Sequence, residues 1–114
     1  MMARRMVYVT FRKRGLHRYA GAPAEVDYLA HTHRHTFWFK VSIEVRHNDR
    51  DIEFHLFQEW LELLYDARTL SLEGRSCEMM AEELHERITE RYLGRAVEID
   101  ISEDGENGAV LSWP

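Results

Sequence analysis

Two stretches of the chain alternate apolar and polar residues with a period of two. Over residues 5–19, Val7, Val9 and Phe11 share one side of an extended segment, and Gly15 offers a place for a bulge. Over residues 33–46, Phe37, Phe39, Val41, Ile43 and Val45 face one way. Arg34, Thr36, Lys40, Ser42, Glu44 and Arg46 face the other, with Trp38 as the exception. Both segments read as half-buried strands. Residues 20–31 read as a connection and the run His47–Asp51 as a turn.

The period then lengthens. Phe57, Trp60, Leu61 and Leu64 have helical spacing across residues 54–66, as do Cys77, Met80, Ala81, Leu84 and Ile88 across 76–92. Ser76 suits an N-cap and Gly94 a stop. Val97, Ile99 and Ile101 restore the alternation over 96–103. Asp104-Gly105 and Asn107-Gly108 then mark a hairpin turn, and 109–113 make a last strand. The order ββααββ predicts an α+β fold: a four-stranded antiparallel sheet with two helices packed on one face.

Composition narrows the function classes. The 114 residues fit one domain, 1–114, and 45% hydrophobic with 31% charged residues is the balance of a globular chain. A net charge of −5 argues against nucleic acid as a partner, and no apolar run has the length of a membrane span. Met1 to Arg14 is basic, but its alternation reads as a strand with charged edges rather than a targeting peptide. The one cysteine, Cys77, cannot form an intramolecular disulfide, which points to a reducing, cytoplasmic setting. It reads as a small buried apolar side chain.

Seven histidines are more than composition requires, and His31, His33 and His35 stand at i, i+2 and i+4. On a strand all three point to one face, the face that carries Phe37 and Phe39. His17 is in phase with Val7, Val9 and Phe11 unless a bulge at Gly15 shifts it. Imidazoles aimed at an interior are costly unless something satisfies them. Either loops do so at a polar mouth of the sheet, or a metal does. Two imidazoles on alternate strand positions, with a third from a neighbouring strand, make a three-histidine site, and an open fourth position is the pattern of catalytic zinc. His47 and His85 read as solvated. Glu103 is a second oddity, being in phase with Val97, Ile99 and Ile101. It is either a wet turn residue or a carboxylate facing a pocket, where it could accept a pair of N–H donors such as guanine or a pterin presents.

Taken together, these residues resemble the 6-pyruvoyl-tetrahydropterin synthase and 6-carboxy-tetrahydropterin synthase family, of the tunnelling fold (T-fold) class. The resemblance spans about 95 residues. His17-Arg18 resembles the family's His-Arg at the end of its first strand, and His33-Arg34-His35 followed by Phe37 its His-Gly-His and aromatic. Ile52-Glu53-Phe54 resembles the opening of the first helix. Asp66-Ala67-Arg68-Thr69-Leu70 resembles the Asp-His-x-x-Leu segment between the helices, and Ser76-Cys77-Glu78-Met79 the start of the second. Ile99 to Asp104 resembles the strand whose glutamate anchors the pterin.

The resemblance implies zinc on His17, His33 and His35, and Glu103 as the ligand-binding residue. It implies a lyase acting on dihydroneopterin triphosphate or a related pterin, in pterin or 7-deazaguanine (queuosine) biosynthesis. It also implies a homo-oligomer, a trimer or hexamer, while the charge and hydropathy given above lead to the expectation of no nucleic-acid and no membrane partner. Two positions depart from the family pattern. Leu29 stands where the family has its proton-abstracting cysteine, and Ala67 where it has its catalytic histidine. Of that proton-moving set only Asp66 is kept, and His31 or Asp27 is the substitute base. An alternative register makes His31 and His33 the metal pair, with Asp27 at the base position. The alternative function is a catalytically degenerate module that binds zinc and a pterin or purine, or an oligomeric scaffold.

Overall fold

The alternating segments form the two longest strands, β1 (Met6–His17) and β2 (His33–Glu44). They pair antiparallel over their whole length, from Met6 opposite Glu44 to His17 opposite His33. The computed structural model describes residues 3–114, so Met1 and Met2 of the basic opening and of the expected 1–114 domain lie outside the described residues. The pairing of β1 with β2 runs through Gly15 without a bulge, so the phase that puts His17 beside Val9 and Phe11 is kept. The irregularity falls one step later, between Leu16 and His17, on the other edge of β1.

That edge is covered by an element the periodicity did not predict. The chain between the two helices forms β3 (Thr69–Glu73), which pairs parallel with β1. The expected four-stranded antiparallel sheet is therefore a five-stranded mixed sheet. Five residues are too few for their alternation to stand out, yet Leu70 and Leu72 are buried while their neighbours are exposed. Its pairing covers an edge of β1 that would otherwise present unpaired backbone groups.

The remaining strands are β4 (Val97–Glu103) and β5 (Asn107–Trp113), and the sheet order is β3-β1-β2-β4-β5. Apart from β3, the strands form an antiparallel meander. The last strand begins at Asn107, two residues before the expected start, because the turn occupies only Asp104 to Glu106. Asp104 and Gly105 both take positive φ there, 58° and 72°, which Asp and Gly tolerate best.

Helices α1 (Phe54–Leu63) and α2 (Cys77–Arg91) lie on one face of this sheet, α1 against β1 and α2 against β4 and β5. Ser76 caps α2 as expected, accepting the Met79 amide at 3.1 Å, and Gly94 follows with φ 77°. Glu53 caps α1 by accepting the Leu56 amide at 2.8 Å. The helix stops at Leu63 rather than running on to residue 66. Residues 24–30 of the expected connection wind into 3-10 turns, interrupted by non-helical backbone at Val26.

The core lies between the helices and the inward row of the sheet. Phe37, Phe39, Val41, Ile43, Ile99 and Ile101 meet Phe57, Leu61, Leu84 and Ile88 there, all fully buried or nearly so. The outward row carries Tyr8, Arg12, Trp38 and Lys40, which explains why Trp38 breaks the pattern of β2: it is exposed, with the Arg12 guanidinium 4.6 Å from its ring centre. Among the described residues, no helix is long and apolar enough to cross a membrane.

Candidate metal centre

At one end of the sheet the inward row changes from apolar to polar on three adjacent strands. β1 ends in His17, β2 begins with His33 and His35, and β4 ends in Glu103. Register brings them together: His17 pairs with His33, and Phe37, two residues beyond His35, pairs with Glu103. Phe37 closes the apolar core beneath them, its ring 5.3 Å from that of His17 and 6.0 Å from that of His35.

The three imidazoles converge. Their ring centres lie 4.6 Å (His17–His33), 5.0 Å (His17–His35) and 4.8 Å (His33–His35) apart. One ligating nitrogen from each lies within 4.8 Å of the others. All three Nε2 atoms are buried, and none has a hydrogen-bond partner among the described residues.

The opposite ring nitrogens are engaged. His33 Nδ1 lies 2.7 Å from the His31 carbonyl oxygen, and His35 Nδ1 lies 2.7 Å from Asp104 Oδ2. Both partners can only accept, so each Nδ1 carries the proton. In the neutral rings Nε2 is then a bare lone pair. Burial holds the His17 pKa below the ordinary histidine value, with the Glu103 carboxylate pulling the other way. Neutral imidazoles, oriented by a second hydrogen bond and presenting convergent lone pairs, are what a first-row divalent cation requires. The donor set suits zinc, and the geometry is compatible with it.

A cavity of about 510 Å³ opens beside the triad, within the usual size range of small-ligand sites. His17, His33 and Glu103 line it, with Arg18, Tyr19, Leu29 and Cys77 on its other walls. Cys77 is buried at the start of α2, and burial first, then the Glu103 carboxylate, pushes its thiol up to about 11. A larger hollow, about 730 Å³, lies on the opposite face of the sheet around Arg12, Trp38 and Lys40. It contains none of the unpartnered nitrogens, so the chemistry belongs to the smaller one.

The other residues singled out in the sequence are placed differently. His31 is exposed just before β2; it gives the site its carbonyl, and its ring is outside the triad. The assembled trio is thus His17, His33 and His35, the first of the two registers. Asp66 and Ala67 are exposed on the approach to β3 and do not line the cavity, and Asp27 is exposed in the 3-10 segment. His47 is exposed, but His85 is not simply solvated: its ring stacks on Trp113 with centres 3.9 Å apart.

Asp104 was legible only as a turn residue. Its carboxylate holds both His35 and the Thr36 amide, the latter at 2.9 Å, and these two bonds, the Thr36 amide first, hold its pKa below the ordinary value. No family model matches the chain, and no curated protein matches it.

Proposed function

We propose that this protein is a zinc protein whose three-histidine centre serves a pterin- or purine-sized ligand, as in the 6-carboxy- and 6-pyruvoyl-tetrahydropterin synthases it resembles. The observation that carries this reading is the set of three buried, unpartnered Nε2 atoms converging beside a ligand-sized cavity. The meander of β1, β2, β4 and β5, with both helices inserted after β2, supports assignment to the T-fold; β3 is an addition to it. The reading includes a cytoplasmic homo-oligomer, a trimer or hexamer.

Zinc at this position would polarise a substrate's side-chain oxygens and acidify neighbouring protons. The chain supplies the rest. Phe37 and the core beneath it exclude water from one side of the triad. Glu103, on the cavity wall, is the carboxylate available to a ligand's paired N–H groups. A lyase also needs a base, and here the two readings part. Leu29 lines the cavity at the position of the family's thiol, and Asp66 stands outside it. Those two placements favour the second reading, a module that keeps metal and ligand binding but turns over little. Loss of such groups typically costs about 10²–10⁴-fold.

The test is metal content of the untagged protein, followed by incubation with dihydroneopterin triphosphate. About one zinc per chain with product formation supports the lyase. Full zinc without turnover supports the binding module. Sub-stoichiometric metal that added zinc does not restore overturns both.

A further inference from the structure

The Glu103 carboxylate faces the triad as well as the cavity. Oε1 lies 3.5 Å from His17 Nε2, and Oε2 lies 3.4 Å from His35 Nε2. Neither contact has the geometry of a hydrogen bond, since both nitrogens are without a partner. The His35 contact is the more telling. Its Nδ1 must donate to Asp104, so Nε2 of the neutral ring is an acceptor facing another acceptor across 3.4 Å. Two acceptors in a part-buried site repel unless a positive charge stands between them. A shared proton would draw such a pair to about 2.7–2.9 Å. A metal ion would not. Ligands held about 2.0–2.1 Å from a tetrahedral zinc are separated by roughly 3.3–3.4 Å, the edge of that tetrahedron. The two observed spacings, one from each carboxylate oxygen, come close to that size on the His17 and His35 sides of the site.

We propose that Glu103 is the fourth protein ligand of this metal centre, so that the ligand-free site is closed as His₃Glu rather than open as His₃. The inference rests on the zinc reading above and changes what that reading says of Glu103. A ligand with paired N–H donors must draw the carboxylate off the metal to engage it. Opening the coordination position and anchoring the ligand then become one movement of one side chain. Glu103 can make it, because its side chain is only part-buried and stands at the end of β4, next to a turn.

The cobalt(II)-substituted protein tests this without any substrate. Its visible spectrum reports a change of ligand set, and azide is a small anion that takes an open position. In the wild type, millimolar azide is expected to leave the spectrum unmoved. In Glu103→Ala it is expected to shift it, and zinc affinity measured against a competing chelator should fall about tenfold or more. Glu103→Gln, which keeps the side chain's shape, should show the same loss of affinity. Azide shifting the wild-type spectrum as it shifts that of Glu103→Ala overturns the proposal, as do equal affinities in all three proteins. Those results would leave the three-histidine centre standing. Failure of the wild type to bind either metal overturns both.

Discussion

Asp104 holds His35 by its ring and its strand at once: one carboxylate oxygen takes His35 Nδ1 at 2.7 Å, and the other takes the Thr36 amide at 2.9 Å. The ring is thereby fixed in orientation and tautomer relative to its own backbone. Such outer partners typically contribute 10–100-fold to metal affinity. Asp104→Asn is expected to weaken zinc binding by about that factor, because an amide can offer its NH₂ to Nδ1 and so favour the wrong tautomer. Chelator competition would measure it. An unchanged affinity would show that Asp104 orders the turn and nothing more.

The unpartnered nitrogens make the metal-free protein less stable than its core alone would allow. A buried polar atom left unsatisfied costs about 1–3 kcal/mol. Replacing His17 by Phe removes the most deeply buried of the three. In excess chelator, His17→Phe is expected to melt no lower than the wild type. In zinc the order should reverse, since metal that binds only the folded state stabilises by about 4 kcal/mol at a thousand times its Kd. The wild-type Tm should therefore respond to chelator, and that of His17→Phe should not. A wild-type Tm indifferent to chelator would count against a metal centre.

Much of this arrangement was legible in the sequence because strand phase is strict. Once Phe37 and Phe39 face inward, His33 and His35 must as well, and Glu103 follows from Ile99 and Ile101 in the same way. Phase alone could not choose between His31 with His33 and His33 with His35. That choice depends on where β2 begins, and His31 lies before it. β3 escaped notice because two leucines in five residues carry no clear period. Asp104 escaped because Asp-Gly is a strong turn signal, and its side chain's second task depends on a partner 69 residues away in the chain.

Gly15 has no room for a side chain. A Cβ there would stand 2.7 Å from Leu72 Cδ1 and 2.8–2.9 Å from the Phe37 ring, on the strand position opposite His35. Gly15→Ala should therefore cost about 1–3 kcal/mol in overpacking, read as a lower denaturant midpoint. Phe37 supports the rings of His17 and His35, so zinc retention should fall as well. A variant as stable as the wild type would mean that Leu72 and Phe37 yield freely.

Asp51 offers a pH test away from the metal. Its carboxylate accepts Arg95 Nη1 at 2.6 Å and the Arg46 amide at 2.9 Å, and these bonds, Arg95 first, hold its pKa below the ordinary aspartate value. A carboxyl whose folded pKa is depressed stabilises the fold above the unfolded value, about 3.9. That contribution disappears as pH falls through the folded value. Asp51→Asn should be less stable than the wild type at neutral pH, with the gap closing below about pH 4. Urea melts across that range in excess chelator would measure it, and a gap independent of pH would point to packing rather than charge.

Cys77 lines the cavity yet should behave as an unreactive thiol in the metal-free protein. Burial and the nearby Glu103 charge push its pKa up to about 11, against an ordinary value near 8.5. The thiolate is the reacting form, so alkylation by iodoacetamide near pH 8 is expected to run about two orders of magnitude slower in the native protein than in urea. The rate should keep climbing with pH well beyond the point where an ordinary thiol levels off. The sulfur also stands outside the convergent histidine trio, so Cys77→Ser should bind as much zinc as the wild type. Fast labelling of the native protein, or zinc lost with the sulfur, would mean that Cys77 belongs to the working centre.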